Sequence, residues 1–205
     1  MSRFGIPMGF NEMTVEEVCK KNGVDCNTFL AVVNFICEDY DFKDSDINIS
    51  LPSLLHYLQQ SHEYFLEFFL PGIRRKLLDA INMKDSDVSF LILKLFDEYV
   101  GEISQHMEEE ESNLFKYVEC LIEGKTYVDN HIVTYSEHHD KVGSTLRELK
   151  NIIIKYCPKD AYTNLLNAAL YDIYRCEEEL ASHCRIEDHL LVPAIKNYER
   201  ILLNN

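Results

Sequence analysis

Two histidines each stand four residues ahead of a glutamate, His106 before Glu110 and His183 before Glu187. On a helix this spacing stacks the two side chains one turn apart on the same face. Imidazole and carboxylate together suit iron, manganese or zinc. The pairs are therefore candidate metal ligands, provided that the helices carrying them turn that face inwards.

The apolar stripes, traced in steps of three and four residues, say that they do. The first long segment gives Leu51, Leu55, Leu58, His62, Phe65 and Phe69; the second gives Phe96, Tyr99, Ile103, His106, Glu110 and Leu114. The third gives Val128, Ile132, Tyr135, His139, Val142, Leu146, Leu149 and Ile153, and the fourth Leu166, Leu170, Ile173, Cys176, Leu180, His183, Glu187, Leu190 and Ala194. In each stripe a histidine, alone or with a glutamate, takes the place of a core residue.

Burying two carboxylates in one apolar interior is strongly unfavourable unless positive charge lies between them. No Lys or Arg stands on these stripes within a turn of Glu110 or Glu187, so a multivalent cation is the economical solution. Four histidines and two glutamates exceed the needs of one tetrahedral zinc. Two ions sharing the glutamates as bridges would use all six. His56 and His138 fall off or to the edge of the stripes, and Glu108, Glu109 and Glu111 read as a solvated face. Cys184 follows His183 by one residue and so points about 100° away from it.

The elements that must hold these residues announce their ends. The first long helix begins at Ser50 or Pro52 and runs to about Ile81. The second starts at an Asp85/Ser86 cap and stops before Gly124. The third is capped by Thr126 and ends at Pro158, and the fourth runs from about Asp160 to Leu202. Short connections between long helices predict an all-α, antiparallel up-down-up-down four-helix bundle. Ahead of it, residues 13 to 38 read as two short helices around Asn22 and Gly23, with Thr14 and Glu17 forming a capping box. The acidic stretch from Glu38 to Ser50 reads as a linker. The expected division is a small helical N-terminal piece over residues 1–45 and a metal-binding domain over 46–205.

Composition agrees. Seven Gly and five Pro in 205 residues, with 46% apolar residues, favour long helices over a turn-rich sheet protein. A net charge of -15 opposes nucleic acid and anionic lipid. The N-terminus lacks the apolar run of a signal peptide and no stretch is apolar enough to span a membrane, so a cytoplasmic protein is expected. The seven cysteines are odd in number and form no C-x-x-C, which predicts reduced, structural thiols.

Ferritin-like di-iron bundles use Glu-x-x-His, the opposite order. The segments ISQHMEEEESNLFKYV (103 to 118) and LASHCRIEDHLLVPAI (180 to 195), with SEHHDKVG (136 to 143) between them and LLHYLQQSHEYFLEFFLP before them, instead resemble the iron-centre, or iron-sulfur cluster, repair proteins of the hemerythrin-like family. The resemblance covers about residues 50 to 200. It implies a hemerythrin-like bundle with His62, His106, Glu110, His139, His183 and Glu187 as ligands to two non-haem irons, oxo- or hydroxo-bridged, with manganese or zinc as other occupants. It further implies repair or protection of iron-sulfur clusters under nitrosative or oxidative stress. Its partners would be damaged iron-sulfur proteins or small ligands such as O2, NO or peroxide. An O2 or NO binding sensor and a di-iron redox enzyme are the other roles such a site could serve.

Two departures from the family pattern stand out. Family members carry a further histidine at the start of the second helix, where this chain has AINMKDSD with Asn82 or Met83, leaving one iron with one fewer protein ligand. The piece TVEEVCKKNGVDCNTFL resembles the family's N-terminal domain but lacks its adjacent Cys-Cys pair.

Overall fold

The computed structural model describes residues 1–38, 48–81, 87–125, 143–157 and 161–203, and every regular element among them is helical. The short helices are α1 (Val15–Lys21) and α2 (Cys26–Glu38). The predicted capping box holds: the Thr14 hydroxyl accepts from the Glu17 N–H, and the Glu17 carboxylate accepts from the Thr14 N–H at 2.8 Å. The turn between them needs a left-handed residue, and Gly23, at φ 68°, supplies it.

The first long run, 51–80, is α3 (Leu51–Glu63) and α4 (Leu70–Ala80), joined without a break by a wide π turn, Tyr64–Phe69. The second run, 87–122, repeats the pattern with α5 (Asp87–Glu109), a wide turn at Glu110–Phe115, and α6 (Lys116–Ile122). It stops where expected, with Gly124 left-handed at φ 67°. After α7 (Gly143–Tyr156), the last run is α8 (Thr163–Ile186), a wide turn at Glu187–Leu191, and α9 (Val192–Leu203). The cap expected at Asp85/Ser86, the beginning of the third helix at Thr126, and Pro158 and Asp160 lie outside the described residues, as does most of the linker.

The wide turns were not foreseen from the stripes, yet two have a cause in the sequence. Leu70 N–H bonds the carbonyl of Phe65, and Val192 N–H bonds that of Glu187, each reaching back five residues rather than four. The next residue in each case is proline, Pro71 and Pro193. A proline ring clashes with the carbonyl four residues before it and has no N–H to offer, and a locally widened turn relieves both. The turn at Glu110–Phe115 has no proline. Widening also keeps a stripe of four-residue steps in phase: Phe65, Phe69, Ile73 and Leu77 are all buried, as are Glu110, Leu114 and Val118.

The chain forms two compact units: Met1–His62 with Glu111–Val133 and Ser182–Asn205, and Glu63–Glu110 with Thr134–Ala181. In the first, the Phe4 ring packs edge-on against Phe29 and tilted against Tyr57, at ring separations of 5.1 and 4.6 Å, and Ser50 N–H donates to the buried Thr28 hydroxyl at 2.8 Å. The N-terminal residues thus pack on α2 and α3. In the second, α5 lies against α4 and α7 over a core that includes Phe65, Ile73, Leu77, Ile92, Phe96, Tyr99, Leu149 and Ile173. Its rim carries the two-pronged pair Arg74–Asp97 and the pairs Lys76–Asp172 and Lys150–Glu177. Every described stripe residue is buried or half-buried; Val128, Ile132, Tyr135 and Val142 lie outside the described residues. No described helix is long and apolar enough to cross a membrane.

All seven cysteines are free thiols. Two of them, although seven residues apart, meet: burial first, and then the charge of and a hydrogen bond with Cys26, push the Cys19 thiol up to about 11. At pH 8 only about 0.1% of such a thiol is thiolate, the reactive form. Exposed Cys37 should therefore be alkylated by iodoacetamide at pH 8 well before Cys19, by about a hundredfold or more in rate. Peptide mapping by mass spectrometry would read the order, and equal rates would contradict the burial of Cys19.

Candidate metal centre

Four of the six predicted ligands come together. His62, Glu110, His183 and Glu187 are each 2–3% exposed. One donor atom from each lies within 4.8 Å of every other. His62 is supplied by the last turn of α3, Glu110 by the first residue of the wide turn after α5, His183 by the last turn of α8, and Glu187 by the first residue of the wide turn that follows.

The separations are those of neighbouring ligands on one ion. His62 Nε2 is 3.1 Å from His183 Nε2, and that same His183 nitrogen is 3.3 Å from Glu187 Oε1. Two donors each about 2.1 Å from a cation stand about 3.0 Å apart at a right angle and about 3.4 Å apart at the tetrahedral angle. Two ring nitrogens facing each other at 3.1 Å cannot both carry hydrogen. Without a cation one must donate to the other, and a metal ion would displace that proton.

His62 is held from behind. Its Nδ1 is 3.0 Å from Glu111 Oε1, and its ring stacks on Phe115 with centroids 5.0 Å apart and planes 17° apart. Glu111 is exposed, as expected of a solvated acidic face, with its side chain 41% exposed, and one of its oxygens also reaches the buried histidine. Glu108 and Glu109 are exposed, as expected. The sequence offered no sign to single Glu111 out of the run Glu108–Glu111.

His106 stands at the edge of the group. Its Nε2 lies 3.1 Å from Glu110 Oε1, and its side chain is 16% exposed against 2% for Glu110. Glu110 is thus within reach of His106 as well as a member of the buried group. His139, Asn82, Met83, Tyr135 and His138 lie outside the described residues. His56 is exposed, Tyr99 packs in the core, and Cys184 is half-buried.

Electrostatics explain why these residues fit a cation. Among the described residues, the buried ionisable groups other than the Cys and Tyr side chains are His62, Glu110, Asp172, His183 and Glu187, and none is Lys or Arg. Asp172 pairs with the half-exposed Lys76. Glu110 and Glu187 instead look onto imidazoles, which are mild donors when neutral, so the group concentrates negative charge and lone pairs at one place. That is the donor chemistry of iron, manganese or zinc.

Comparison with known proteins bears on this arrangement. Residues 53–195 match the family model described as Hemerythrin HHE cation binding domain, a span that contains all six predicted ligands. No curated protein and no solved structure matched the chain.

Replacing Glu110 and Glu187 together by Gln removes two buried negative charges and keeps the shape. In the presence of a chelator this double variant should be more stable than the wild type, by about 1–3 kcal/mol in urea unfolding. With excess Zn(II) the order should reverse, because the wild type alone gains binding energy. A wild type whose unfolding is indifferent to added cation would contradict the site.

Proposed function

The chain belongs to the hemerythrin family of HHE cation-binding domains, and from that premise we propose that it is a non-haem di-iron protein that protects or rebuilds iron-sulfur clusters under nitrosative or oxidative stress. The observation that carries the metal half of this reading is the buried group His62, Glu110, His183 and Glu187 with its donor atoms within 4.8 Å of one another. In this reading His62, His106, His139 and His183 would hold two ions together with Glu110 and Glu187, the two carboxylates being available to both. The family's further histidine is absent at Asn82/Met83, so one ion would have one fewer protein ligand.

Bound iron would supply one-electron chemistry and open coordination positions for O2, NO or peroxide. The chain's own contribution is to bind and orient. Its two carboxylates would balance the charge of the cations, Phe115 stacks on the His62 ring, and the burial of the cluster limits water. The long runs 51–80, 87–122, 143–156 and 163–203 would form the up-down-up-down bundle around this centre, with residues 1–45 as the small N-terminal domain.

The repair role is supported by the resemblance of the helical motifs, and of the N-terminal piece, to iron-centre repair proteins. Damaged iron-sulfur proteins would be the partners, in the cytoplasm. A net charge of -15 fits neither nucleic acid nor an anionic membrane as a partner.

Anaerobic Fe(II) titration should load two irons per wild-type chain and none at comparable affinity in the Glu110→Gln/Glu187→Gln double variant. The loaded protein should then restore activity to an enzyme whose iron-sulfur cluster has been damaged by NO. Reversible O2 binding without restoration would favour a sensor, and catalytic turnover of peroxide or NO an enzyme. A chain that takes up a single ion would overturn the di-iron reading.

A further inference from the structure

We propose that Glu111 is a positioning residue of the metal centre: its carboxylate holds His62 in the tautomer that carries hydrogen on Nδ1, so that Nε2 is kept bare and aimed at the cation. The inference rests on the reading that the cluster binds metal.

The geometry assigns the roles. Glu111 Oε1 is 3.0 Å from His62 Nδ1. An ionised carboxylate only accepts, so the ring nitrogen facing it must donate. The neutral imidazole then has its lone pair on Nε2, the atom 3.1 Å from His183 Nε2 and within reach of the other donors. The side chain of His62 is 4% exposed, so bulk water does not choose the tautomer. A ring with hydrogen on Nε2 instead would point an N–H into the cation's place and leave Nδ1 bare against a carboxylate, a repulsive contact.

Phe115 completes the clamp. The stacked rings of His62 and Phe115, 17° from parallel, restrict rotation about the bond that would exchange the two nitrogens. Glu110, Glu111 and Phe115 lie on one wide turn, Glu110–Phe115. One short segment thus carries a candidate ligand, the group that orients a second ligand, and the ring that holds that ligand's plane. Carboxylates placed behind metal-bound histidines fix ring orientation and raise ligand basicity, and their loss typically weakens metal binding by about 10–100-fold.

The test uses the full chain. Nitrogen-15 NMR of the metal-free wild type reads the His62 tautomer directly and should show hydrogen on Nδ1; hydrogen on Nε2 overturns the proposal. Anaerobic titration with Co(II) should give Glu111→Ala an affinity about 10–100-fold below wild type at unchanged stoichiometry and unchanged helical circular dichroism. Glu111→Gln, whose amide oxygen can still accept from Nδ1, should lose several-fold less, and Glu108→Gln should match the wild type. A wild type that takes up no Co(II) or Fe(II) overturns the metal reading, and this inference with it. A wild type that binds metal while Glu111→Ala binds it equally tightly overturns the inference alone. Loss of one bound ion per chain from Glu111→Ala, with the His62 tautomer unchanged, makes Glu111 a ligand and also overturns it. Should Glu111→Ala fail to fold, the wild-type tautomer and the Glu111→Gln titration still decide.

Discussion

Two carboxylates sealed among imidazoles and apolar side chains form the constraint to which the rest of the site answers. Glu110 and Glu187 are each 2% exposed, and an isolated carboxylate in such surroundings is far less stable than in water. A Lys or Arg beside them would solve the problem permanently and leave an inert ion pair. Asp172 is handled that way, through Lys76. At Glu110 and Glu187 the chain places histidines, whose nitrogens can give up their protons to a binding cation. That choice of partner separates a site from a structural salt bridge.

The same constraint bears on the helices. Wide turns occupy Tyr64–Phe69, Glu110–Phe115 and Glu187–Leu191, starting two residues after His62, on Glu110 and on Glu187. A wide turn gives up the best helical hydrogen-bond geometry, and such turns are frequent at functional positions for that reason. Each lies at or just after a residue of the cluster, and beyond it the helix resumes its apolar stripe. Pro71 and Pro193 make two of them the low-energy local choice. Neither proline breaks its helix, because the chain has already widened to accommodate it.

Much of this was legible in the sequence, for identifiable reasons. Burial follows period, so Leu55, Leu58, His62 and Phe65, or Ile173, Cys176, His183 and Glu187, could be placed inwards from spacing alone. The Thr14/Glu17 box and the glycines at 23 and 124 marked helix ends because their chemistry is local. What spacing does not carry is contact between distant elements. Glu111 meets His62, 49 residues away, and Cys19 meets Cys26 across a turn; neither pair has a sequence signature. The wide turns were half-legible: Leu70-Pro71 and Val192-Pro193 announce a perturbation, but whether a proline ends a helix or widens it depends on packing.

The run Glu108–Glu111 shows where composition stops being informative. Four identical side chains stand in a row, and in a regular helix they would spread over most of the circumference at about 100° per residue. Glu108 and Glu109 meet water, and Glu110 is buried. A further 100° would carry Glu111 well away from Glu110. The wide turn that begins at Glu110 reduces that step only slightly, so Glu111 still points to one side of Glu110, where the His62 ring lies within 3.0 Å of its carboxylate. One oxygen stays at the buried ring and the side chain keeps 41% of its exposure. The difference between a solvated glutamate and one that touches a buried histidine is therefore set by the neighbour that another helix brings beside it, His62, 49 residues away, which the identity of the four residues does not encode.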